Sequence, residues 1–165
     1  MTNVQNAKGE PDAVVPDLGP LESSLGYRLR RVQLRVFEDF ARAFAEIGLR
    51  PTQFSVLVVI ARNPGLRQSE VAHALGIQRT NFVPLVDSLE SRGLLERRLS
   101  QQDRRSYALH LTEEGSAILT RALAAHQAHE ERLAALLGPE LRNRLLADLP
   151  KLDELLRREA GAANR

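Results

Sequence analysis

A chain of 165 residues is long enough for one domain with a real core and too short for two ordinary ones. It contains no cysteine, which excludes disulfides, thiolate metal sites and cysteine nucleophiles. The net charge of +2 says little about partners, but its distribution says more. Four arginines face one acid between Arg97 and Arg105, whereas residues 1–24 hold one lysine and four acids. A basic tip on a near-neutral body suggests a defined phosphate contact rather than general polyanion binding; a surface loop that merely carries arginines is the alternative.

Residues 1–19 mix Gly, Pro, Asp and Asn without a period, which predicts a flexible tail. They lack the basic start and apolar run of a signal peptide, and no later segment reaches membrane-spanning length. A cytoplasmic protein without membrane contact is expected. From Pro20 to Ile47 the pattern is helical: Leu25, Leu29, Val32, Val36, Phe40, Ala43 and Ile47 share a face, and Leu34, Phe37, Ala41 and Phe44 widen it past half the circumference. So broad an arc needs cover on two sides, and in a small protein the second cover is commonly another subunit. Arg28, Arg31, Arg35 and Arg42 form an opposing stripe with Glu38, Asp39 and Glu46 close by. A solvated face with intrahelical ion pairs is the plain reading; a cationic wall for an anionic effector is the sharper one.

Pro51 suits a helix start, and the apolar run FSVLVVIA predicts a short buried helix over 51–62, ended by Asn63-Pro64-Gly65. QSEVAHAL predicts the next helix, closed by Gly76 in a left-handed turn. Glu70 occupies the third position of a capping box whose cap position holds Arg67; a missing cap costs roughly 1 kcal/mol. The following helix runs from about Arg79 to Arg92, with Phe82, Leu85, Val86 and Leu89 on one face. Pro84 lies opposite that face; it removes one backbone hydrogen bond at ~3 kcal/mol in a regular helix, which predicts a local bend. Two strand-like runs, 94–99 and 107–111, flank the polar loop SQQDRRS. Thr112 is a plausible N-cap for a helix to about Leu137. Gly138-Pro139 marks a stop and restart, and a leucine-rich final helix is expected to bend at Pro150. A self-contained bundle and a dimerisation body are the two readings of the long terminal helices.

Helix, tight turn, helix and basic hairpin outline a winged helix-turn-helix, whose second helix enters a DNA major groove. In wording, LGIQRTNFVPLVDSLESRGLLERR and DRRSYALHLTEEG resemble the recognition helix, wing and following helix of the MarR family of bacterial transcriptional regulators. The flanking helices, about 20–62 and 112–159, are consistent with it. The resemblance implies a mainly α fold with a small β-wing in a single domain over 20–160: a DNA-binding lobe at 63–111, and dimerisation helices at 20–62 and 112–160. The family usually has Ser or Thr where this chain has Arg67.

No nucleotide-binding glycine motif, HExxH or GxSxG is present, so the enzyme hypothesis has no residue to stand on and no cofactor is expected. His126, His129 and Glu130 form a metal-like cluster, with both imidazoles on one helix face. Polar decoration of an exposed helix is the commoner reading, and no metal site is expected.

The leading hypothesis is a homodimeric, sequence-specific DNA-binding regulator on a pseudo-palindromic operator, with recognition helices in major grooves roughly 34 Å apart. Gln78, Thr80, Asn81 and Pro84 would face the bases, since Gln and Asn pair with adenine and Pro touches a thymine methyl. Arg79 and Arg67 would hold phosphate. Arg105 matches the arginine of the family's Asp-x-Arg wing motif, which reaches into the minor groove; Asp103 would orient it, with Arg98, Gln102 and Arg104 assisting at the backbone. The resemblance also implies a repressor released by a small aromatic or anionic effector. LGYRLRRVQLRVFEDF and NFVPLVDSLE look most like regulators of aromatic-acid breakdown, some answering to hydroxycinnamoyl-CoA thioesters. Tyr27, Leu34, Phe37 and Phe54 are candidate apolar walls, Arg31 and Arg35 candidate partners of an acid group, and Arg28 and Arg42 candidate phosphate holders. A winged-helix protein-interaction module, or a ligand-binding protein without DNA regulation, stands as the alternative.

Overall fold

The computed structural model describes residues 16–99 and 107–163. The chain divides between Val36 and Phe37 into two compact units. In the first, a 3-10 turn over Gly19–Ser23 leads into α1 (Leu25–Ala43), whose later residues belong to the second unit. Ser24 Oγ accepts from the Tyr27 amide at 3.4 Å and opens the helix. Leu25, Leu29, Val32 and Leu34 are all exposed.

The second unit holds α2 (Pro51–Arg62), α3 (Gln68–Ala74), α4 (Arg79–Ser91), β1 (Leu95–Leu99), β2 (Tyr107–Leu111) and α5 (Glu113–Ala163). The predicted punctuation is met by geometry: Gly76 (φ 64°) and Gly93 (φ 68°) take the left-handed conformation that ends α3 and α4. Gly138 (φ 71°, ψ 161°) breaks the helical conformation inside α5, the expected stop and restart. Thr112 caps α5, its Oγ1 accepting from the Gly115 amide at 2.9 Å and donating to Gly93 O at 2.6 Å.

The strands pair antiparallel from Leu95↔Leu111 to Leu99↔Tyr107, and Leu66 O accepts from the Leu109 amide at 2.9 Å, tying the ribbon to the start of α3. The core gathers Phe44, Leu57, Ile60, Val71, Phe82, Leu89, Leu95 and Leu109, each fully buried. Phe40 and Phe44 stack at 3.7 Å, and Phe54 meets both rings. Along α5, Leu123, Leu136, Leu141, Leu146, Leu149, Leu155 and Leu156 are exposed. Among the described residues, no helix is long and apolar enough to cross a membrane.

Candidate nucleic-acid interface and effector cleft

α4 is two-faced. Phe82, Val86 and Leu89 are buried to 0% exposure against the core, so the opposite side of the helix must face outward. That side carries Thr80, Asn81 and Pro84, all exposed, and Gln78 and Arg79 are exposed where the helix begins. The Asn81 and Phe82 amides bond to Gln78 O at 2.9 and 3.0 Å, leaving the Gln78, Thr80 and Asn81 side chains free of any role in holding the first turn. Pro84 sits inside the helix, as the helix assignment requires, with its side chain exposed.

The strand after α4 departs from the sequence reading. Arg97 was grouped with the basic tip, but it folds back onto α4. Its guanidinium pairs with Asp87 Oδ1 at 2.5 Å and with Glu90 Oε2, leaving its side chain 24% exposed. Alternation along a strand turns Arg97 and Arg98 to opposite sides. Arg98 stays out, paired with Glu96 at 2.5 Å. Gln102, Asp103, Arg104 and Arg105 lie outside the described residues.

At the start of α3, Arg67 and Glu70 make half of a capping box. Glu70 Oε2 accepts the Arg67 amide at 2.7 Å and Oε1 accepts its guanidinium at 2.9 Å. An arginine cannot return the bond to the helix amides, so the other half is absent. These Arg67 contacts, side chain first and then amide, hold the Glu70 carboxyl below the ordinary glutamate value.

In the first unit Arg28, Arg31 and Arg35 are exposed. Arg28 Nε donates to Glu22 O at 2.9 Å, and the Arg31 guanidinium lies 6.0 Å from the centre of the half-buried Tyr27 ring. In the second unit Phe37 is exposed, Phe54 is buried, and Arg42 pairs with Asp39 at 2.9 Å. Arg42 also lines an open cleft of ≈ 460 Å³, shared with Ala43, Glu46, Ile47, Arg121 and Ala125. Arg121, on α5, lines the same cleft and is not among the residues singled out from the sequence.

The histidines are a second correction. His129 is 2% exposed rather than decorating a surface. Its ring stands edge-on to Phe40 at 5.7 Å, and His126 packs 5.0 Å from the Phe54 ring. The signal was present: Leu119, Ala122, His126 and His129 continue one helical stripe at spacings of three, four and three.

Comparison with known proteins supplies the context. Residues 47–106 match the model of the MarR family. A putative transcriptional regulatory protein for the hcr operon of Thauera aromatica is 38% identical over 135 residues, 81% of each chain. A structure of the transcriptional repressor CouR bound to a 23-mer DNA duplex is similar at 48% identity and a TM-score of 0.78, covering 84% of this chain and 99% of that one. CouR bound to p-coumaroyl-CoA is similar at 46% identity and a TM-score of 0.77, covering 83% and 96%.

Proposed function

This chain belongs to the MarR family, and from that premise we propose that it is a homodimeric cytoplasmic repressor, without enzymatic activity, that leaves its operator when an aromatic acyl-CoA thioester binds. The observation that carries the reading is the division of α4 into a fully buried face and an exposed face of Thr80, Asn81 and Pro84. A rigid helix with hydrogen-bonding side chains at its exposed start is the shape that reads base edges in a major groove. The similarity to CouR held on a DNA duplex supports it.

Dimerisation is supported by the exposed leucines of α1 and of α5 beyond Gly138, which a second copy would cover. The effector reading rests on the similarity to CouR bound to p-coumaroyl-CoA, and on the arginines around α1. The acid phosphates of a CoA thioester call for guanidinium partners. Arg42 and Arg121 border an open cleft whose lining also holds Ala43, Ile47, Ala125 and the acid Glu46. Release requires that the thioester bind the DNA-incompetent arrangement more tightly than the competent one. A coupling of 1–3 kcal/mol changes DNA affinity by roughly 5–150-fold.

The test is a gel-shift on the intergenic DNA beside the gene, with and without p-coumaroyl-CoA. The expected result is a discrete complex that unrelated DNA does not compete away and that the thioester dissolves, while free CoA does not. Equal affinity for unrelated DNA would remove the sequence-reading role of α4; a complex indifferent to the thioester would remove the effector.

A further inference from the structure

We propose that His126, His129 and Glu130 form a binding site for a divalent transition-metal ion of the zinc type, one per chain. The three residues lie within about one turn of α5, and one ligand atom from each lies within 4.8 Å of the others. Nδ1 of His126 and both ring nitrogens of His129 are buried and, among the described residues, have no hydrogen-bond partner. A buried imidazole nitrogen without a partner is costly, and a pair of them on one helix face beside a carboxylate is the donor set of a nitrogen–oxygen metal site.

The surroundings fit the same assignment. Asp39 Oδ2 stands 3.2 Å from His129 Nε2, close but outside hydrogen-bond alignment. A small turn of the ring would bring the Nε2–H onto that carboxylate and leave Nδ1 as the lone pair, the arrangement that orients metal-bound histidines. Asp39 is itself held by Arg132 at 2.5 Å. Glu130 Oε1 lies 3.9 Å from His129 Nδ1; its side chain is 39% exposed, with Oε2 3.9 Å from the Arg142 guanidinium. Ligand atoms around a tetrahedral ion sit about 3.4 Å apart, given metal bonds of about 2.0–2.1 Å. Ligand atoms spread over as much as 4.8 Å would have to draw together by up to about 1.4 Å around such an ion. Two imidazoles and one carboxylate leave a fourth position for water or for an oxygen of another ligand.

The full chain, stripped with chelator, is titrated with cobalt(II) alone, followed by visible absorption, and then competed with zinc(II) alone. One equivalent should bind per chain and be displaced by zinc. His126→Gln and Glu130→Gln, both at half-buried positions, should each weaken binding at least tenfold with an unchanged circular dichroism spectrum. Asp39→Asn should weaken it by roughly 10–100-fold by freeing the His129 ring. His73→Gln and His110→Gln should leave it intact. No saturable binding at one equivalent, full affinity in His126→Gln and Glu130→Gln, or loss of binding in His110→Gln would each overturn the site.

Discussion

Gly115→Ala is the substitution whose cost can be worked furthest from geometry. Gly115 lies in the first turn of α5, where an added Cβ would meet Leu94 O at 1.8 Å and its carbonyl carbon at 2.8 Å. Real Cβ atoms essentially never approach within 3.0 Å. The helix start and the Leu94 backbone must therefore separate by roughly 1.2 Å, an overpacking strain of about 1–3 kcal/mol. That separation pulls on the Thr112 amide bond to Leu94 O at 3.3 Å and the Thr112 hydroxyl bond to Gly93 O at 2.6 Å. Losing either costs about 1 kcal/mol, while alanine returns roughly 0.5–1 kcal/mol of helix propensity. The net expectation is a loss of about 1–3.5 kcal/mol. Urea unfolding followed by circular dichroism should show a lower midpoint at unchanged slope. Gly26→Ala, a helical glycine with nothing within 4 Å of the added carbon, is the control and should be neutral or slightly stabilising. A Gly115→Ala protein as stable as the parent would show that Leu94 yields freely and that the argument from close approach is wrong.

Three further outcomes are expected. Asn81→Ala should cost about 1–3 kcal/mol on operator DNA and little on random duplex; equal losses on both would make Asn81 a backbone contact. Arg42→Ala and Arg121→Ala should leave operator affinity near normal while raising several-fold the p-coumaroyl-CoA needed for release, and normal release in both would move the pocket elsewhere. Glu70→Gln tests linkage. Because the Glu70 carboxyl is held below its ordinary 4.5 by Arg67, its contribution is present above that value and lost as pH falls through the folded-state value. The stability gap between parent and Glu70→Gln should therefore narrow as pH drops below 4.5, and a gap independent of pH would contradict the pairing.

The fold was legible wherever the chain punctuates itself. Gly76, Gly93 and Gly138 ended helices because each must take a positive φ that other residues resist, and Thr112 announced a cap by its chemistry. What escaped was long-range. Gly115 reads as an unremarkable helical residue until Leu94 is placed against it. Arg97 reads as part of a basic tip until the strand alternation and the acids of α4 are set side by side. The burial of His129 was readable from the stripe through Leu119 and Ala122, but imidazole chemistry argued for the surface. The exposed face of α4 was the most legible part of the candidate site, because three apolar residues at helical spacing fix where the others point.

The Arg97 clamp bears on any attempt to re-target the protein by exchanging its reading helix. Asp87 and Glu90 sit on the helix that would be transplanted, while their partner sits on the strand that would stay behind. A donor helix lacking those acids would strand a largely covered guanidinium without a counter-charge, and such a charge is strongly destabilising. Specificity in this chain is therefore not a cassette: helix and wing strand have to be swapped together, or the two acids grafted along with the new bases' readers.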